Sequence, residues 1–335
     1  MNICWADDFN CEKNYIYFSR SYQELFARIY HSELRYLKIN YLEKNYFIPL
    51  ILRKLKKNNY EAFSSYGYGG FVGEEINFSE LQIKSLIKFL SKEYIHSLFI
   101  RHSPFLDNHN FWPKNMIEAN RITYITDLFE FEDFILYKEN LNQKIRSSVN
   151  HAEKNNYSVN CIDKPLESSL KDFYKLYILR MKELSVSKFY LFDYRLFKDH
   201  FDNLSDRCKL ITIKNSDSEL VSGAIFLCDP NSKIVYYHLS ASSKEALKHQ
   251  CNELMISYAK FFFGKNGFKK MFLGGGIKLD ESDGLSKFKR KFCNDKKIFY
   301  ITKLICDLDL YSKTRKSFEI NSKEFFLIGD ALEST

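Results

Sequence analysis

Between positions 233 and 276 the chain reads strand, helix, strand and glycine turn, and this order constrains the fold more than any other feature. The run 233–240 (KIVYYHLS) is dense in β-branched and aromatic residues and predicts a strand. Ser242-Ser243-Lys244-Glu245 fits the capping box S-x-x-E, with Ser242 as N-cap and Glu245 three residues on. Leu247, Cys251, Leu254, Met255, Tyr258, Ala259 and Phe262 then recur at helical spacing, which predicts a continuous apolar face. Gly264 and Gly267 are expected to stop that helix. The run 269–273 (KKMFL) reads as the next strand, before Gly274-Gly275-Gly276. Such a β-α-β unit leaves a helix N-terminus beside a strand end. Unpaired backbone N–H groups and the positive end of the dipole suit a phosphorylated ligand there.

The remainder bounds the class. With 335 residues, 45% hydrophobic and 27% charged, the chain can build two domains with buried cores and is neither disordered nor collagen-like. No apolar run approaches the ~20 residues a bilayer requires, and the start MNICWADDFN lacks a signal-peptide pattern, so a cytoplasmic protein with no membrane partner is expected. Eight cysteines without C-x-x-C spacing fit buried thiols in a reducing compartment. Eight histidines without H-x-x-x-H spacing give no reason to expect a metal. Further strands are predicted at 34–41, 46–54, 97–102, 121–125, 208–214 and 220–228, with helices at 79–94, 141–155 and 166–184. Hairpin, turn, helix and strand therefore recur in the same order, with the boundary expected in 133–142. Lys287, Lys289, Arg290, Lys291, Lys296 and Lys297 crowd a short stretch opposed only by Asp295. This is either a solvated basic face or a phosphate site; it would also attract transfer RNA.

The stretches YYHLSASSKEALKHQCNELM, LGGG and DGLSKFKRKF resemble the acyl-donor core of the GNAT superfamily, in particular its FemAB-like branch. KIRSSVNHAEK (144–154) resembles the basic helix opening the second FemAB half, and SYGYGG (65–70) the tyrosine-glycine turn of the first. The resemblance spans most of the chain. It implies an α/β fold of two tandem GNAT-like domains, each a mixed, mostly antiparallel twisted sheet flanked by helices. The first would cover 1–138, with 312–335 able to complete it; the second, 139–311, would carry the acyl-donor site. The implied activity is transfer of an acyl group from acyl-CoA to the amine of a nucleotide-linked (dTDP- or UDP-) amino sugar, for surface polysaccharide such as O-antigen. Direct attack through a tetrahedral intermediate is expected, without a covalent acyl-enzyme. The alternative is a Fem-type aminoacyltransferase that uses aminoacyl-tRNA on a peptidoglycan precursor, although no heptad run marks the coiled-coil arm many such enzymes carry. A binding protein with a decayed site is the third reading.

Mapped residue by residue, the resemblance brings Leu239, Ser240 and Ala241 nearest the donor and gives its pyrophosphate to Ala241, Ser242, Ser243, Lys244 and Glu245. The chain departs from the usual Q/R-x-x-G-x-G/A loop, having no glycine between Ser242 and Leu247. His238 is the candidate general base, since imidazole titrates near neutrality; a histidine satisfied within the sheet is the other reading. Strand alternation places Tyr236, His238 and Ser240 on one face, with Tyr237 and Leu239 on the other. Asp283 matches the family's D-G-L and is a candidate proton acceptor, whereas Asp280 and Glu281 read as solvated loop. Lys289 matches the lysine of F-K-x-x-F, which implies contact with acceptor phosphate or the acyl carbonyl, beside Gly275. Tyr66 and Tyr68 would stack a sugar or base, or form a plain turn. Arg146 is a phosphate ligand or a surface charge, and His102, Asp107 and His109 lie in a polar loop.

Overall fold

The computed structural model describes residues 1–9, 15–320 and 326–334; Cys11 and positions 321–325 of the C-terminal segment lie outside the described residues. In chain order the first elements are β1 (Asn2–Ala6), α1 (Arg20–Ile29), β2 (Glu33–Tyr41), β3 (Lys44–Lys56), β4 (Asn59–Phe63), α2 (Glu80–Lys92), β5 (Ile95–Arg101) and β6 (Glu118–Asp127). Then come α3 (Phe134–Glu139), α4 (Gln143–Lys154), β7 (Ser158–Ile162), α5 (Glu167–Glu183), α6 (Tyr194–Leu204), β8 (Cys208–Lys214), β9 (Leu220–Asp229) and β10 (Ile234–Ser242). The chain closes with α7 (Lys244–Lys248), α8 (Cys251–Lys265), β11 (Lys270–Gly275), α9 (Gly284–Arg290), β12 (Asp295–Ile305), α10 (Leu308–Ser317) and α11 (Ile328–Ser334).

Two compact units result: Met1–Arg121 with Ile298–Thr335, and Ile122–Lys297. The first has strand order β1-β2-β3-β4-β5-β12, with β4–β5 parallel and every other described pair antiparallel. The second has order β7-β8-β9-β10-β11-β6, again with one parallel pair, β10–β11. Each is thus a mixed, mostly antiparallel sheet with helices on it, and the two repeat one topology. These bounds differ from the expected 1–138 and 139–311. Thr123–Asp127 of β6 pair with β11, and Ile301–Ile305 of β12 pair with β5, so each sheet takes its sixth strand from across the chain.

Local chemistry accounts for the elements that hold the site. In the first unit Ser79 and Gln82 form the capping box of α2, and Ile83, Leu86 and Leu90 bury the expected apolar face. In the second unit α8 is apolar nearly all round. Leu254, Met255, Ala259 and Phe263 pack with Val235, Phe226 and Met271 from the sheet. Gly264 does not stop this helix; it lies inside it. A Cβ there would sit 2.2 Å from the Phe129 carbonyl oxygen, so glycine allows the backbone of 129 to approach. The reversal falls to Gly267, at φ +82°.

Candidate active site

The site begins where two strands part. β10 and β11 pair at Ile234–Lys270, Val235–Met271 and Tyr236–Phe272, and their ladder ends there. β10 continues against β9 as far as Ser242, and β11 continues against β6 as far as Gly275. Both strands bulge at this level, β10 between Tyr237 and Leu239, β11 between Phe272 and Gly274. Ser243 N–H donates to the Val221 carbonyl at 2.9 Å. Antiparallel ladders alternate, so the backbone groups of Ala241 and Leu239 also face β9, while those of Ser240 face the opening. Of the three residues expected nearest the donor, Ser240 therefore presents its amide; Leu239 and Ala241 are turned away and nearly fully buried.

The bulge corrects the expected alternation. Tyr237 stands opposite Phe226 and Leu239 opposite Ile225, with His238 as the extra residue. Tyr237 and Leu239 thus lie on opposite faces: Tyr237 packs with the α8 core beside Phe226, and burial lifts its phenol to about 12.

The helix start is also corrected. Ser243, not Ser242, is the N-cap, accepting the Ala246 N–H at 3.1 Å. Ser242 is the last residue of β10. Its hydroxyl meets the Ser222 hydroxyl at 2.6 Å and bonds Asn252. Glu245 completes no capping box and instead accepts from the Tyr157 hydroxyl at 3.3 Å. The helix stops after five residues, because Gln250 sits at φ +61° and restarts the chain as α8. Lys244 turns to Glu183 at 3.4 Å. The single helix expected after Ser242 is therefore two, α7 and α8.

His238 meets His200 of α6, Nε2 to Nε2, at 3.2 Å. His200 Nδ1 lies 2.7 Å from the Leu196 carbonyl, which can only accept, so Nδ1 carries the proton and Nε2 accepts. His238 must then donate from Nε2 and keep its lone pair on Nδ1. Burial, then the neighbouring His200 charge, push its pKa well below the usual 6.5. Burial likewise brings His200 to about 4. The expectation that His238 titrates near neutrality is corrected: it is a neutral, weakly basic imidazole held in one tautomer.

At the far end of β11, Lys289 is 7% exposed and donates from Nζ to the Gly275 carbonyl at 2.8 Å. Gly274, at φ +75°, would bring a Cβ to 3.3 Å of that ammonium, so the glycines let the cation approach the strand end. Asp283 is the N-cap of α9. Its carboxylate accepts from the Ser286 N–H and hydroxyl, and from the Ile277 and Lys278 N–H groups, at 2.6 to 3.2 Å. Burial alone would raise its pKa, but the Ser286, Lys278 and Ile277 bonds outweigh it and hold the group far below the ordinary range. This corrects its assignment as proton acceptor, since a carboxylate so stabilised has almost no basicity. Glu281 accepts from Tyr124 at 2.8 Å and Lys296 at 2.7 Å. Lys291 pairs with Glu253 at 2.8 Å, so part of the basic cluster is neutralised locally.

Arg146 bonds the Glu139 carbonyl at 3.0 Å, closing the end of α3. In the first unit the strands matching β10 and β11 are zipped. Beyond the Phe63–Phe99 pair, Ser64 N–H donates to the Phe99 carbonyl at 2.9 Å and Ser64 Oγ accepts the Arg101 N–H at 2.9 Å. Gly69 N–H then donates to the Arg101 carbonyl at 2.6 Å and bridges His102. The tyrosines between lie on aromatic neighbours: Tyr66 stacks on Phe26 at 5.5 Å, and Tyr68 meets Tyr17 and Phe299 edge-on, each at 5.3 Å. His102 is buried against Thr302 at 2.8 Å, and His109 stacks on Tyr300 at 4.3 Å. Asp107, at φ +47°, opens the short turn 108–111. The structure thus places His238 and Ser240 on β10 and Gly275 at the end of β11, where Lys289 of α9 bonds it, and puts Tyr66 and Tyr68 on the first unit. His200 and the bulge carried no signal in the sequence; the run YRLFKDHFDNL of α6 did show helical spacing.

Among the described residues no group of histidine, cysteine, aspartate or glutamate could hold a metal ion, and no helix is long and apolar enough to cross a membrane. No protein-family model and no curated protein matches the sequence. Solved structures do match in fold. The crystal structure of FemX is 14% identical, covers 90% of this chain and 96% of its own, and has a TM-score of 0.61. The structure of L-PGS from Bacillus licheniformis is also 14% identical, covering 89% of this chain and 96% of its own with a TM-score of 0.54. A tandem GNAT protein from the clavulanic acid biosynthesis pathway is 7% identical, covering 90% and 98% with a TM-score of 0.50. The fold is accordingly a tandem GNAT-like one, similar to that of FemX.

Proposed function

We propose that the protein is an acyltransferase whose donor lies along β10 as an added strand, with an amine as acceptor. The observation that carries this reading is the parting of β10 and β11 after Tyr236 and Phe272, which turns the Ser240 amide toward an opening. A donor amide chain would pair there, and an N–H aimed at the acyl carbonyl would stabilise the developing oxyanion. Lys289, fixed on the Gly275 carbonyl, adds a buried cation at the end of β11. The amine attacks directly. His238, neutral and weakly basic, takes a proton only from an acidic partner such as the protonated tetrahedral intermediate.

We carry acyl-CoA and a nucleotide-linked amino sugar in surface polysaccharide synthesis as the first reading of donor and acceptor. Arg146 of the second unit remains proposed to meet the acceptor, Tyr66 and Tyr68 remain proposed to stack a sugar or base on the first unit, and residues 241–245 remain those proposed nearest the donor phosphates. The Fem-type reading, aminoacyl-tRNA and a peptidoglycan precursor, gains from the interrupted helix at Gln250, which weakens a pyrophosphate site, and from the likeness to FemX. Either chemistry belongs in the cytoplasm. Melting the protein with millimolar coenzyme A or with charged tRNA separates them. Binding only the native state stabilises by ~2.7 kcal/mol at a hundred times Kd. A rise with coenzyme A alone selects the first reading and a rise with tRNA alone the second. No rise with either removes both.

A further inference from the structure

We propose that the corner formed by the loop after β11 and the start of α9 docks on an anionic lipid surface. Three aliphatic side chains stand out in water there: Ile277 is 66% exposed, Leu279 45% and Leu285 39%. They are not on a loose loop. The Asp283 carboxylate accepts the Ile277 and Lys278 N–H groups at 3.2 and 3.1 Å while capping the helix that carries Leu285. Gly276 presses on Ser286 so closely that a Cβ would lie 1.8 Å from its hydroxyl oxygen. A backbone pinned from both sides thus holds apolar groups outward, where water disfavours them, and this marks a contact surface.

The surrounding charge selects the partner. Lys278 is exposed on the same loop, and Lys287 and Arg290 are exposed on α9. Of the nearby acids, Glu281 is engaged by Lys296 and Tyr124 and Asp283 by its cap, leaving Asp280 as the exposed carboxylate of the loop. Exposed aliphatic side chains and exposed cations on one loop and its following helix match the boundary of an anionic leaflet, with apolar groups entering the acyl layer and cations at the headgroups. Each basic residue close to such a surface is worth roughly a fivefold gain in partitioning. The same corner carries Gly275 and Lys289, so docking would bring the strand end to the membrane plane. That the acceptor is presented there rests on the acyl-transfer reading above; the docking itself does not.

The test is co-sedimentation of the full chain with vesicles of phosphatidylcholine alone, or of equimolar phosphatidylcholine and phosphatidylglycerol. Two variants accompany it, Ile277→Ser with Leu279→Ser and Leu285→Ser, and Lys287→Glu with Arg290→Glu. The wild type is expected to partition onto the anionic vesicles only, and each variant to lose about tenfold or more at unchanged melting temperature. Equal partitioning of wild type and both variants, or none by the wild type, overturns the proposal. So does a vesicle-free dimer that the serine variant dissociates, because a second copy would then cover the corner. A transfer assay with a water-soluble amine keeps the two readings apart. Vesicle binding without transfer supports docking and sinks the acyl-transfer reading, and transfer without vesicle binding does the reverse.

Discussion

Lys289 is the residue on which the proposed chemistry turns. A lysine ammonium that is 7% exposed must be compensated, and the Gly275 carbonyl at 2.8 Å does so. Lys289→Met keeps the volume and removes the donor. Transfer is expected to fall by about a hundredfold, the scale of one lost electrostatic contact to a developing charge. Steady-state kinetics on a protein of checked fold decide it, and unchanged turnover removes the role. Asp283 has the opposite character: its acceptor capacity is spent on the fold. Asp283→Ala should cost about 2 kcal/mol or more of stability at neutral pH, from the lost cap and the unpaired loop N–H groups. Because its native pKa is depressed, this contribution is present above the unfolded value near 4 and fades as pH falls through the native one. Urea unfolding at neutral and acid pH reads both effects. Lys289 and Asp283 were visible in the sequence from the DGLSKFKRKF match. Their division of labour was not, because it depends on which donors the fold brings to each.

At the scale of elements, the strands were legible wherever β-branched and aromatic residues gather, as at 208–214, which β8 reproduces. The failures are informative. A bulge inserts one residue without changing composition, so the shift at His238 leaves no pattern to detect. The break between α7 and α8 falls within an apolar periodicity that runs straight through it. Only the positive φ of Gln250 reveals it, and a glutamine is not the residue that usually takes that conformation. The consequence is measurable. Gln250→Gly should raise stability by about 1 kcal/mol, since glycine adopts φ +61° without the Cβ penalty. A lower denaturation midpoint would mean that the glutamine side chain holds the turn.

For the whole molecule, the repeated order of pairings leaves one strand pair parted and its counterpart closed. The strand pair that parts in Ile122–Lys297 is closed in Met1–Arg121 by Ser64, Gly69 and His102, so a single donor per chain is expected. The recurrence of hairpin, turn, helix and strand was readable from 34 onward. The crossing of β6 and β12 was not, because partner choice for a sixth strand is set by the completed sheets. Buried imidazoles govern acid behaviour. His96, His102 and His200 are fully buried and depressed by that burial to about 4, 3 and 4. With folded values below the unfolded 6.5, their neutral forms favour folding. Stability is complete above pH 6.5 and falls below it, by about 1.4 kcal/mol per pH unit for each. Melting temperature should therefore drop steeply from pH 7 to pH 5. Among the described residues neither ring nitrogen of His96 has a hydrogen-bond partner, so His96→Leu should both stabilise the protein, by about 1 kcal/mol, and flatten that slope. A slope unchanged by the substitution would exclude His96 from the effect.

The opening between β10 and β11 is proposed to receive the acyl donor. Amide hydrogen exchange across the whole chain, with and without coenzyme A and then with and without charged tRNA, tests it most directly. Slowed exchange at 237–242 and 273–276 with one of these donors, and none at 64–70, is the predicted result. Protection at 64–70 instead, or no change at 237–242 with either donor, would contradict it.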